Sequence, residues 1–83
     1  MITPAQCRAA RGLLGWNQQE LAAKAGISQF AVHQLEAGST RSRRATLDVV
    51  RRAFEHAGVE FIDGNGGGPG VRLREPEREQ RPT

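Results

Sequence analysis

Gln29, Phe30, His33 and Gln34 sit in the stretch Gln18–Gly38, QQELAAKAGISQFAVHQLEAG, at spacings that bring all four to one side of a short helix. The inward positions of that helix are taken by Val32 and Leu35, three residues apart, so none of the four has a core role. The chemistry such a face offers is recognition. A Gln amide donates and accepts at once and can pair both edges of adenine, accepting from N6 and donating to N7, while an exposed Phe ring can pack on a thymine methyl. The polar loop Ser39 to Arg43, with Arg44 after it, brings Arg41, Arg43 and Arg44 close behind. Guanidinium groups suit bidentate contacts with phosphate better than ammonium groups do.

Bond-making chemistry finds no comparable constellation. His33 and His56 lack a metal-ligand spacing with Cys7, with Asp48 or with each other. Asp63-Gly64-Asn65-Gly66-Gly67-Gly68-Pro69-Gly70 resembles a phosphate cradle in composition only. It has no Gly-Lys-Ser/Thr ending, and a strand pattern follows where a helix N-terminus is required. Glu60 and Asp63 read as strand-edge charges and not as an acid/base pair. We therefore expect no enzyme, no cofactor and no metal. Cys7 is the sole cysteine, which excludes an internal disulfide and fits a reducing compartment.

The recognition face needs a scaffold, and the sequence writes one. Thr3-Pro4-Ala5-Gln6 starts a helix: Thr3 caps, Pro4 fits the first turn, and Gln6 completes a capping box. Cys7, Ala10 and Leu14, with Leu13 alongside, form its apolar side, and Arg8 and Arg11 are expected on the outer face. Gly15 ends it, and Trp16 reads as a packing residue at the corner. Asn17 caps a second helix with Glu20 as reciprocal partner; Leu21 and Ala25 point inward, and small Ala22 admits a close neighbour. Gly26 suits a left-handed helix end. Ile27 fills the turn, Ser28 caps the third helix (28–37), and Gly38 ends it. The short link between these two helices matches a helix-turn-helix connection. A fourth helix is expected from about Arg44 to Ala57, with Leu47, Val50, Phe54 and Ala57 as its stripe and Gly58 as its cap.

The pattern then switches to period two. Val59 and Phe61 alternate with Glu60 and Ile62, and Val71 and Leu73 alternate with Arg72 and Arg74, which predicts two short strands around the glycine-rich loop. A lone hairpin is marginal in water. Val59, Phe61, Ile62, Val71 and Leu73 therefore need cover, either from the chain's own helices or from the same strands of a second copy, and the dimer is the favoured reading. The expected organisation is a helix-turn-helix domain over residues 1–58, a dimerising β-hairpin over 59–74, and a disordered tail over 75–83, EPEREQRPT, whose composition offers no core residue.

Composition bounds the rest. Eighty-three residues suit one small, marginally stable domain with little room for a deep pocket. Lys and Arg number 12 against 9 Asp and Glu, for a net charge of +3, and every basic residue except Lys24 is Arg. A GC-rich genome gives the same bias, so the charge alone decides little. MITPAQCRAARG holds no apolar run of signal-peptide or membrane-spanning length, which leads to the expectation of a soluble cytoplasmic protein with no membrane partner.

Together, Gln18, Leu21 and Ala22, then Gly26-Ile27-Ser28, then Val32, Leu35, Glu36 and Gly38, resemble the phage repressor/Cro-like, or Xre-type, helix-turn-helix family. With its flanks, from about residue 5 to residue 57, the resemblance spans roughly two-thirds of the chain. It implies a mainly α, lambda-repressor-like bundle of about four helices, here with a short C-terminal β-hairpin, whose third helix lies in the major groove of double-stranded DNA and whose second crosses the backbone. Carried over by position, Gln29 stands at the tip entering the groove, Gln34 is a second base contact, and His33 faces a base, a phosphate or solvent. Phe30 departs from the polar residue the family often has there; thymine contact and protein contact are both open to it. The resemblance puts Gln18 on a phosphate, and Ser39, Thr40, Arg41, Arg43 and Arg44, with Ser42, in the loop that grips the backbone. Arg51 and Arg52 lie further along the fourth helix and read as backbone contacts or as a solvated face. It gives Glu36 a structural role with neighbouring loop groups. The implied function is a homodimeric, sequence-specific transcriptional regulator, a repressor or autoregulator. The alternatives are an antitoxin that binds a small toxin partner and its own promoter, with Phe30 and the Phe61/Leu73 surface as candidate contacts, and a restriction-modification control protein.

Overall fold

A computed structural model describes residues 2–39, 43–64 and 66–75. The order of elements is α1 (Pro4–Leu14), α2 (Gln18–Ala25), α3 (Gln29–Glu36), α4 (Arg44–His56), β1 (Val59–Ile62) and β2 (Gly70–Leu73). The expected tail lies outside the described residues from position 76 onward.

Local chemistry sets the helix boundaries. Thr3 Oγ1 accepts from the Gln6 N–H at 3.0 Å, and Gln6 Oε1 accepts from the Thr3 N–H at 2.9 Å, so the capping box closes from both sides. Asn17 and Glu20 repeat the device on α2, at 2.7 and 2.8 Å. Ser28 Oγ takes the Ala31 N–H at 3.0 Å and starts α3. Gly26 turns the chain out of α2 at φ 73°, a left-handed value that a Cβ would strain.

The helices close around Cys7, Ala10, Leu21, Ala22, Val32, Leu35, Val50 and Phe54, all buried. Trp16 stacks on Phe54 with centroids 5.7 Å apart, and Phe54 meets Phe61 at 6.0 Å, so an aromatic row joins the α1–α2 corner, α4 and β1. Trp16 is thus a packing residue, as its sequence position suggests. Two expectations for α1 need correction. Leu13 is 42 % exposed, because the inward face of α1 runs through Gln6, Cys7 and Ala10 and turns Leu13 away. Arg11 is not on the outer face: it folds back over α3, where a buried carboxylate holds it.

The strands form one antiparallel hairpin in the register Val59↔Leu73, Glu60↔Arg72, Phe61↔Val71 and Ile62↔Gly70. β2 starts one residue earlier than the alternation suggests and stops at Leu73, although the Arg74 N–H still reaches the Gly58 carbonyl at 2.7 Å. The cover that the sequence demanded is largely internal. Val59 is fully buried in the helical core, with Phe61, Val71 and Leu73 packed against the same cluster. Gln6 does more than cap α1: its side-chain amide donates to the carbonyls of Ile62 at 3.3 Å and Gly70 at 3.0 Å, pinning the loop end of the hairpin to α1. Val59 presents no surface to a second copy, whereas Ile62 is 38 % exposed.

Candidate nucleic-acid interface

Helix α3 divides cleanly between two jobs. Val32, Leu35 and Glu36 face inward, while Gln29, Phe30 and His33 are exposed, with Gln34 half-buried at the margin. Phe30 is 69 % exposed, a cost in water unless something covers the ring. No hydrogen bond or ion pair among the described residues engages the side chains of Gln29, His33 or Gln34. Their amide and imidazole groups face outward from a helix whose other side is locked in the core, so a rigid row of donors and acceptors is offered to whatever approaches.

What holds that row in place is Glu36, at the last turn of α3. Its side chain is 4 % exposed, yet it carries a carboxylate, and four donors converge on it. Arg11 Nε lies 2.7 Å from Oε2 and Arg11 Nη2 lies 2.8 Å from Oε1. Gln18 Nε2 donates to Oε1 at 3.0 Å, and the Cys7 thiol donates to Oε2 at 3.1 Å. Arg11 Nη1 also bonds the Trp16 carbonyl at 3.0 Å, and Arg8 Nη1 bonds the backbone carbonyl of Glu36 at 2.6 Å. Burial by itself would raise the Glu36 carboxyl, but the hydrogen bonds from Arg11, Gln18 and Cys7, with the Arg11 charge, outweigh it and hold the group below the usual carboxylate range. The same bond raises Arg11 further, so both partners stay charged. Burial first, then the bond to Glu36, pushes the Cys7 thiol well above its ordinary range and keeps it protonated, as its donor role requires.

Glu36 is therefore structural, as expected, but among the described residues its side-chain partners come from α1 and the start of α2. Sequence reasoning missed Arg11 because helical spacing assigns it to the solvent face, and nothing in a periodic pattern links it to a residue 25 positions away. Gln18 is drawn into the same network. One of its amide protons is committed to Glu36, which fixes the side chain at the first position of α2.

The loop behind α3 is described in part. The Ser39 N–H closes onto the Gln34 carbonyl at 3.0 Å, while Thr40, Arg41 and Ser42 lie outside the described residues. Arg43 and Arg44 are exposed at the start of α4, and Arg43 as N-cap offers no side-chain hydrogen bond to the free N–H groups of the first turn. An uncapped helix start beside two guanidiniums is electrostatically suited to an anion, since helix dipole and side chains carry the same sign. Arg51 is occupied elsewhere, paired with Glu55 at 3.0 Å.

Among the described residues no group of three or more His, Cys, Asp or Glu side chains could hold a metal ion, and no helix is long and apolar enough to cross a membrane. A family model described as helix-turn-helix matches residues 8–62 of the 83. That span runs from Arg8 through both capped helices and α4 to the end of β1. No curated protein matches the chain.

Proposed function

The chain belongs to the Xre-type, lambda-repressor-like helix-turn-helix family of DNA-binding regulators, and from that premise we propose that it is a homodimeric repressor or autoregulator that reads the major groove with α3. The observation that carries this reading is the unengaged outer face of α3, on a helix held at its last turn by the Arg11–Glu36 ion pair. Gln29 and Gln34 are the amide contacts to base edges, Phe30 meets a thymine methyl, and His33 lies one turn further along the same face. Gln18, Ser39, Thr40, Arg41, Arg43 and Arg44 hold the phosphates, so positioning and reading fall to different segments.

The dimer rests on the surface that the core leaves uncovered. Ile62 is exposed and Phe61, Val71 and Leu73 are only half-buried. Both outer edges of a two-stranded sheet also keep backbone groups for another strand. A two-fold pairing would place two reading helices roughly 34 Å apart, one turn of DNA. Sedimentation at tens of micromolar checks this: a monomer mass throughout, together with unchanged DNA affinity after truncation at Gly58, would remove the dimer.

Selection of bound duplexes from random DNA at two salt concentrations tests the function as a whole. An enriched inverted repeat is expected, and the absence of any enriched motif would reject base reading. The antitoxin reading draws on the same exposed Phe30, and co-purification of a second small protein whose binding depends on that ring would favour it.

A further inference from the structure

A trough runs between the end of α2 and the second half of α4. Its deeper part has a volume of about 320 Å³. Trp16 and the small side chains of Ala25 and Ala53 form an apolar floor, and Lys24, Arg52 and His56 stand at the rim. A second hollow of about 340 Å³ shares Arg52 and His56 and continues to Arg74. None of Gln29, Phe30, His33 or Gln34 lines either one. We propose that this trough docks an acidic segment of a partner protein, with one apolar side chain on Trp16 and Ala53 and flanking carboxylates on Lys24 and Arg52.

Charge and shape both suit such a segment. The Lys24 ammonium lies over the Trp16 ring, 5.7 Å from its centroid, so a cation stands directly beside the indole that lines the trough. Arg52 and His56 make no hydrogen bond or ion pair among the described residues. Among the described residues no acid lines the first hollow. Glu55 borders the second hollow, but its carboxylate is held by Arg51. Glu20, one turn before Lys24, keeps its charge with one oxygen accepting from the Asn17 N–H, and it does not line the hollow. Asp48, exposed one turn before Arg52, is the nearest α4 acid not engaged in an ion pair among the described residues. An apolar anchor ringed by opposite charges is the usual build of a protein-docking spot.

Other occupants fit less well. The hollow is open and at the small end for a ligand pocket, where most of a ligand's surface is normally buried. A two-fold contact between copies across this face would set one basic rim against another. The inference is independent of how α3 reads DNA, because it concerns a different surface.

Trp16 is the only tryptophan, so its emission reports on the floor of the trough directly. The test displays random short peptides to the full chain with an excess of unrelated duplex DNA to occupy the nucleic-acid surface. Enriched peptides should be acidic with one or two apolar residues, and should shift Trp16 emission saturably. Replacing their Glu and Asp by Lys should abolish the shift. The double variant Lys24→Glu, Arg52→Glu should lose at least about tenfold in affinity, roughly 1.4 kcal/mol or more, while Gln29→Ala and Phe30→Ala bind the peptide unchanged. The Lys-for-acid peptides keep the test decisive even if the double variant misfolds. The proposal is overturned by a selection with no acidic bias, by binding that leaves Trp16 emission unmoved, by equal binding to the charge-reversed chain, or by displacement of the peptide by the duplex. A self-association that the double variant abolishes, without peptide binding, would assign the face to a second copy instead.

Discussion

Arg11 of α1 and Glu36 of α3 meet through two hydrogen bonds, 2.7 and 2.8 Å long, between guanidinium and carboxylate. Glu36 stands in the last turn of the helix that carries Gln29, Phe30 and His33 toward solvent, three residues past His33. A bidentate pair fixes direction as well as distance. It therefore sets the tilt of α3 against α1, and Gln18, on the same carboxylate, ties the start of α2 to that tilt.

Removing one member of this pair leaves a buried charge without its partner. Arg11→Met should destabilise the fold by about 3 kcal/mol. Arg11→Met with Glu36→Leu should recover much of that loss, because neither charge remains to be solvated. Urea midpoints of the three proteins check this, and a double variant no more stable than the single one would show that the pair matters through geometry and not through charge burial.

Acid should expose the same linkage. The folded chain holds the Glu36 carboxyl below its ordinary value of 4.5. Between the folded and unfolded values the unfolded chain binds more protons, so stability rises with pH there. The contribution is complete above about 4.5 and fades as pH falls toward the folded value. Urea midpoints measured from neutral pH down to pH of about 3 should fall less steeply for Glu36→Gln than for the parent chain. Equal slopes would mean that other carboxylates govern acid unfolding.

Gln29→Ala should cost about 1–3 kcal/mol on the preferred duplex and relax preference at one base pair. An equal loss on random DNA would remove Gln29 from base reading and leave it a backbone contact.

Arg43→Ala should weaken binding to every sequence alike. Taking one guanidinium off a phosphate should flatten the slope of log affinity against log salt by about 0.9. An unchanged slope would mean that Arg43 does not touch the phosphates.

Gln6→Glu should loosen the hairpin. It replaces the amide donor to the Ile62 and Gly70 carbonyls with a carboxylate that repels them, while leaving an acceptor for the Thr3 N–H. Loss of such bonds costs on the order of 1–3 kcal/mol. Amide hydrogen exchange should accelerate across β1 and β2 before it does in α4, and uniform acceleration would show that hairpin and helices open as one unit.

The local rules of the chain were all open to sequence reading. Thr3, Asn17 and Ser28 cap because their side chains reach an N–H three residues on, and Gly26 ends a helix because it alone tolerates the left-handed turn. Those interactions span a few residues, so their partners are written beside them. The alternation that defines β1 and β2 is likewise local, and so is the split of α3 into a buried and an exposed side.

The tertiary structure decided everything that depends on which surfaces meet. Arg11 has the spacing of a solvent-facing residue, yet it closes on a carboxylate from another helix, and only the packing of α1 on α3 makes that approach possible. Gln6 reads as a cap and also serves as a clamp, because the chain returns to it more than fifty positions later. Trp16, Lys24 and Arg52 have no shared pattern in the sequence and line one trough only when α2 and α4 lie side by side. Sequence spacing records the period of a helix or a strand. It carries no record of which turn of one element faces which turn of another, and in this chain that choice aims α3, closes Arg11 on Glu36 and buries Val59.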